Sequence, residues 1–292
     1  MYNHEHMIED APISQNPELT ASMDNSPPRY DLTPEELRRL ELELVNEIKE
    51  TSPAEGITAV WIGPNHKYAN ILRNHEAQLF PEVTELPQDI EDRSLFLALV
   101  DTRNGEDRVV HATTISGVLG RKAGEQNPDD PEGPVTSGFI VIDDLIEMGN
   151  FTPEEFWDYY KTSGVNLENA VSVETNFRIG QRVNDYNGFG TADIAYLTVF
   201  KLAVARSTDP SQAAVFASIN DKTIKSFERV GITCNPIMDR SNLVTSESKE
   251  GLDFTPVLIV NDEHNARVFD SIDTQVETLA LGVSPESIKH SS

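Results

Sequence analysis

The stretch AVFASINDKTIKSFERVGI, residues 214–232, decides the reading of the fold. Ala214 to Ile219 is an apolar run of strand length. Asn220 follows it, and from Asp221 the residues Ile224, Phe227 and Val230 recur at helical spacing until Gly231 ends the pattern. A strand that passes without a linker into an amphipathic helix is one unit of a strand-helix-strand-helix order, with no internal sequence repeat. Its partner lies upstream in GFGTADIAYLTVFKLAVAR, residues 188–206. There Gly188-Phe189-Gly190-Thr191 opens a segment, Thr191 to Arg206, that is apolar over most of its circumference, as expected of a buried helix. Glycines at such a turn let a ligand approach the backbone, and the open amides of a helix start favour an anion such as phosphate. Taken alone, a Gly-x-Gly before a helix is more often plain turn chemistry.

Working outward, Ala170 to Ile179 alternates: Val171, Val173, Thr175, Phe177 and Ile179 should face one way, and Ser172, Glu174, Asn176 and Arg178 the other. Ser94 to Val100 and Val109 to Val118 flank the turn-forming Arg103-Asn104-Gly105-Glu106, which predicts an antiparallel hairpin. Ile57 to Ile62 reads as a strand, Tyr68 to Leu79 as a helix stopped by Pro81, Phe139 to Ile142 as a short strand and Val257 to Val260 as another. Thr33-Pro34 with Glu36 forms a capping box that starts a helix running to about Glu50, with Leu37, Leu40, Leu44 and Ile48 on one stripe. Thr152-Pro153-Glu154-Glu155 caps a second, through about Lys161.

The order is that of an α/β protein with an antiparallel front half and a strand-helix-strand-helix back half. Residues 1–32 read as a disordered tail, 33–56 as an N-terminal helix and 57–262 as the main domain with an insert at about 120–168. Residues 263–292 read as a C-terminal tail or docked helix.

Net charge over the 292 residues is −26, which disfavours nucleic acid and anionic membranes, both of which need clustered cations. The acidity is local. Residues 1–56 carry 13 acids and 4 bases, and residues 121–168 carry 11 and 3, whereas residues 188–240 carry 5 and 6. An anionic cofactor is therefore compatible with the last stretch, where Lys201, Lys222, Lys225 and Arg229 are available. One cysteine, Cys234, leaves no internal disulfide and fits a reducing cytoplasm. Neither a signal peptide nor a membrane span is visible, so a cytoplasmic location is expected. His66, His75 and His111 show no metal-ligand spacing, and no metal is expected.

In order and spacing, the two quoted stretches resemble the GNAT acyltransferase superfamily, whose phosphate loop and helix are followed by a strand, an Asn, a helix ending in aromatic-acid-base-x-Gly and another strand. Asn220, Ile224, Phe227, Glu228, Arg229, Gly231 and Ile232 fall in register with that second motif. The resemblance spans about residues 57–261, and its specific part is residues 188–232. With its long insert and Val173-Glu174-Thr175-Asn176-Phe177-Arg178, the chain looks closer to the autoinducer-synthase-like and N-acyl-amino-acid-synthase-like branch than to the short acetyltransferases.

The resemblance implies a GNAT-like mixed, mostly antiparallel sheet flanked by helices, whose central strands splay to admit the pantetheine arm of acyl-CoA. It implies cofactor-binding roles for Gly188, Phe189, Gly190, Thr191, Arg182 and Asn220. Glu174 would be the base that takes a proton from an attacking amine. An acyl carrier protein is a second possible donor; the amine acceptor and the oligomeric state are open. Two residues depart from the family pattern. Asp185 stands where the phosphate loop usually begins with Gln or Arg, and Phe227 where many members carry a Tyr acid. The rival readings are accordingly a GNAT-like module that binds an acyl thioester or a protein partner without catalysis, and a synthase using S-adenosylmethionine. Without the resemblance, Glu174 on an outward strand face reads as an ordinary solvated or ion-paired acid, with Arg178, two positions away on the same face, as its candidate partner.

Overall fold

Eight strands in the order β6-β7-β5-β4-β3-β2-β1-β8 form one sheet in the computed structural model. The structure describes residues 32–51, 56–79, 93–103, 107–119, 139–147, 149–150, 152–166, 169–180, 189–237, 254–272 and 276–283. Along the chain the elements are α1 (Pro34–Thr51), β1 (Ile57–Ile62), α2 (Ala69–Leu79), β2 (Leu95–Asp101), β3 (Arg108–Ser116), α3 (Ile140–Glu147), α4 (Pro153–Ser163) and β4 (Ala170–Arg178). There follow α5 (Thr191–Arg206), β5 (Ala214–Asn220), α6 (Asp221–Val230), β6 (Asn235–Pro236), β7 (Phe254–Val260), α7 (Glu263–Ser271) and β8 (Val276–Leu281).

Pairing is antiparallel except for β4 with β5 and β1 with β8. The architecture is thus α/β with a mixed, mostly antiparallel sheet and flanking helices, as the resemblance implies. β2 is buried throughout and β3 nearly so, because helices cover both faces. On one face, α5, α6 and α7 pack over Leu97, Val110, Val173, Val215 and Ile259, with Phe200 stacked on Phe269 at 3.7 Å between ring centroids. On the other, Leu44, Ile48, Ile71 and Leu72 of α1 and α2 meet Val60, Phe96 and Ala98. Phe139, Ile142, Leu145 and Phe156, from the start and body of α3 and from α4, enclose Phe216 on that same face.

Local chemistry sets the helix starts. Thr33 and Thr152 each close a capping box: the Glu36 amide donates to the Thr33 hydroxyl while the Thr33 amide donates to Glu36 at 2.8 Å, and Thr152 and Glu155 repeat the exchange. α6 ends at Gly231, whose φ of 92° is the left-handed cap that glycine takes at little cost, and whose amide donates to Glu228 O at 3.0 Å.

Two expectations change. Residues 139–142, expected as a short strand, open helix α3: Phe139, Ile142 and Leu145 recur every third residue and bury together, so packing overrides the β-branched character of Ile140-Val141-Ile142. Beyond residue 262, the chain forms not only the docked helix α7 but also β8, which lies parallel to β1 at the sheet edge. Their junction is tight. The Gly63 amide donates to Leu281 O at 3.1 Å, and a Cβ on Gly63 would collide with Gly282 O.

Candidate functional site

β4 and β5 run parallel and pair from Ala170↔Ala214 to Val173↔Ala217. There the pairing stops, although β4 continues to Arg178 and β5 to Asn220. The two strands therefore part toward their carboxyl ends, the splay that the resemblance implies. Each strand is followed by a helix whose N-terminus returns to this end, and the Ser226 hydroxyl in the middle of α6 donates to Asp193 in the first turn of α5 at 2.8 Å, which sets the body of α6 against the start of α5. Carboxyl ends of parallel strands with helix N-termini above them are where α/β sheets bind ligands.

A β-bulge coincides with the point of parting. Val173 pairs with Ile115 of β3 and Thr175 with Thr114, so Glu174 is the extra residue. One inserted residue reverses the faces beyond it. Val171 and Val173 pack under α5, whereas Phe177 and Ile179 pack under α1 and α2, which corrects the uniform alternation expected from the sequence. Arg178 consequently lies opposite His111 on the α5 face, across the sheet from Glu174, and is not its ion-pair partner. Half-buried, Glu174 is held on the face of α3: the Ser116 hydroxyl donates to Oε1, and the Val141 amide, in the first turn of α3, donates to Oε2 at 3.2 Å.

On the opposite face the splayed half of β4 carries a buried polar relay. His111 meets Thr191 Oγ1 with Nδ1 at 3.2 Å and Asn176 Oδ1 with Nε2. Asn176 Oδ1 also accepts from the Thr113 hydroxyl at 2.9 Å, and the Asn176 amide lies close enough to the Tyr196 hydroxyl to influence its ionisation. Since the amide oxygen is an acceptor, the arrangement assigns the His111 proton to Nε2 and leaves Nδ1 to accept from Thr191. Burial lowers the His111 pKa to about 4, so the ring is neutral at pH 7. Burial likewise raises Tyr196, whose ring meets Phe227 edge-on at 5.8 Å. Cys234 packs beside this core with its thiol pushed up to about 12 by burial, as expected of a packing residue.

At the start of α5, Phe189 is buried in the core, Gly190 is the N-cap and Thr191 is the first helical residue. The Gly190 amide donates to Asp193 Oδ2 at 3.0 Å, so a carboxylate of the helix itself stands at the anion-favouring end. Asn220 caps α6, accepting from the Thr223 amide at 3.0 Å. Lys222, Lys225 and Arg229 on α6 bracket Ser226, which places a cationic stripe beside the start of α5.

The structure thus brings Gly190, Thr191 and Asn220 to one end of the parallel pair and sets Glu174 at its parting point. Gly188, Arg182 and Asp185 lie outside the described residues. His111, Asn176, Thr191 and Tyr196 form a unit that sequence reading did not assemble; its one visible signal was a polar Asn176 between hydrophobic strand positions. Among the described residues, no group of three or more His, Cys, Asp or Glu could hold a metal ion, and no helix is long and apolar enough to cross a membrane.

No family model and no curated protein matches the chain. Solved structures similar to it include the CoA-dependent acyl-homoserine lactone synthase BjaI with SAM and isopentyl-CoA, at 10% identity and TM-score 0.43 over 80% of this chain and 97% of that one. The same enzyme with MTA aligns at 11% identity and TM-score 0.44, over 80% of this chain and 97% of that one. The CoA-dependent acyl-homoserine lactone synthase MesI aligns at 9% identity and TM-score 0.40, over 75% of this chain and 98% of that one.

Proposed function

We propose that the protein transfers an acyl group from an acyl-CoA thioester to a small amine. The observation that carries this reading is the parting of β4 from β5 after Val173↔Ala217, with the bulge residue Glu174 at the fork. A pantetheine arm is narrow and carries amides along its length, so it suits a gap between two strands. Its pyrophosphate would lie at the start of α5, near the Thr191 amide and the Lys222, Lys225 and Arg229 stripe.

In the transfer, the amine nitrogen attacks the thioester carbonyl and the C–S bond breaks. The nitrogen must shed a proton, which Glu174 would accept directly or through one water. Ser116 and Val141 fix the orientation of that carboxylate. Backbone amides of the splayed part of β4 would stabilise the tetrahedral oxyanion. Phe227 has no proton for the departing thiolate; the Tyr196 ring, which packs edge-on against Phe227, carries a hydroxyl that could supply one.

A second reading, an acyl-thioester module without catalysis, draws on the hold of Asp193 on the Gly190 amide and on the complete burial of Phe227. Melting curves with acetyl-CoA, a long-chain acyl-CoA, an acylated carrier protein and S-adenosylmethionine, each tested separately, discriminate the readings. Stabilisation by a thioester, followed by release of free thiol on adding amines, supports transfer. Stabilisation without thiol release across an amine panel selects the binding module. The absence of any thioester effect rules out both.

A further inference from the structure

The bulge at Glu174 turns Asn176 onto the α5 face of the splayed half of β4, where it is half-buried. Its amide is pinned from one side. Oδ1 accepts from His111 Nε2 and, at 2.9 Å, from the Thr113 hydroxyl, and both partners lie on β3. The chemistry of the ring fixes the orientation: with His111 neutral and Nδ1 accepting from Thr191, Nε2 carries the proton and needs an oxygen opposite it.

A planar amide with its oxygen turned to β3 turns its nitrogen away from β3, towards α5 and the gap that β5 leaves beyond Val173↔Ala217. Among the described residues, the acceptor near Nδ2 is the Tyr196 hydroxyl. Nδ2 carries two hydrogens and that hydroxyl takes one, so a donor remains at the gap for a ligand.

The spacing suits coenzyme A. One imidazole and its two hydrogen bonds connect Asn176 to Thr191 at the start of α5. In coenzyme A an ester oxygen and three carbons connect the pyrophosphate to the first amide of the pantetheine arm, a comparable reach. With the pyrophosphate at Thr191, the carbonyl of that amide comes level with Asn176, and a carbonyl taken out of water into the gap needs a donor.

We infer that Asn176 Nδ2 donates to an amide carbonyl of the pantetheine arm, and that His111 is the positioning residue that keeps this donor turned to the gap. The inference rests on the acyl-CoA reading of the site and adds to it a side chain that recognises the arm.

The test compares, by calorimetric titration of the full chain, the binding of CoA with that of adenosine 3′,5′-bisphosphate, which has the nucleotide end and no arm. The readout is the ratio of the two affinities; a disturbed start of α5 or a loss of stability weakens both ligands and leaves the ratio unchanged. Asn176→Asp keeps an oxygen for His111 and Thr113 and replaces the donor by an acceptor, so the ratio should fall at least about tenfold. Asn176→Leu should give the same fall without the added charge. His111→Leu, which cannot donate to Oδ1, should lower the ratio about threefold, and His111→Gln, whose amide again donates, should restore it. Thr113→Val removes the other donor to Oδ1 and should lower the ratio in the same direction.

An unchanged ratio in both Asn176 variants would overturn the inference and leave the coenzyme site standing, as would a parent chain that binds the bisphosphate as tightly as CoA. A fall in His111→Leu that His111→Gln shares would overturn the positioning role. Binding of neither ligand by the parent would overturn the acyl-CoA reading, and this inference with it.

Discussion

The two halves of β4 differ although they are one strand. From Ala170 to Val173 it is paired with β5, and at Ser172 and Val173 with β3 as well; this half is buried and apolar except for Ser172. From Thr175 to Arg178 it stays paired with β3, has left β5, and carries Asn176 and Arg178 on the face where Val171 and Val173 had been. One inserted residue makes the difference. A sheet buried on both faces has no room for an exposed reactive group, and the bulge creates that room without ending the strand. The first half anchors the site, and the second half presents it.

The largest effect is expected at the residue that divides the halves. Glu174→Gln keeps the shape and a hydrogen-bond acceptor but removes the base, so turnover should fall about 10²- to 10⁴-fold with thioester binding nearly unchanged. Thiol release measured beside a thioester melting shift separates the two quantities. Unchanged turnover would reduce Glu174 to a cap on α3 and make the bulge a purely architectural device.

The next effect tests the polar half through its proton. His111 is neutral in the folded protein with a pKa of about 4, against an ordinary value near 6.5 when unfolded. As pH falls through 6.5 the unfolded chain takes up a proton that the folded chain refuses. Stability should therefore decline by about 3 kcal/mol between pH 6.5 and 4 from this residue, and level off below. Urea midpoints at pH 7 and pH 4 measure it. In His111→Gln, which can still bridge Asn176 and Thr191, the acid-linked loss should shrink by that amount; an identical loss in both proteins would mean that His111 is not buried as a neutral group.

What could be read from the sequence was local. The capping boxes at Thr33 and Thr152, the stripe of α1, the hairpin of β2 with β3 and the cap at Gly231 depend on residues within a few positions of one another, and each is found where its pattern lies. The bulge was hidden because Glu174 and Thr175 suit either register of an alternating strand. Only the partners on β3 reveal which residue is extra. The partners of Glu174 are 58 and 33 residues away, and His111 meets Thr191 across 80, so no spacing rule relates them. Strand β8 was invisible for another reason: its Glu277, Thr278 and Ala280 are exposed, and it is a strand because β1 offers an open edge. α3 had a legible period in Phe139, Ile142 and Leu145, which the run Ile140-Val141-Ile142 masked.

The smallest effect bears on the contact that most opposes ligand binding. Asp193 stabilises α5 by accepting from its cap amide, and the same charge repels a phosphate at that end. Stability and affinity should therefore move in opposite directions in Asp193→Asn. The neutral amide can still accept from Gly190 and Ser226, so folding should cost only about 0.5 to 1 kcal/mol, the value of a favourable charge at a helix start. Removal of a like charge beside the pyrophosphate should tighten coenzyme A binding about tenfold at low salt, and less as salt screens it. Calorimetric titration of the variant and its parent at two ionic strengths measures the gain. Weaker binding in the variant would show that the carboxylate holds the loop in its binding shape, and the start of α5 would then belong with the rigid half of β4.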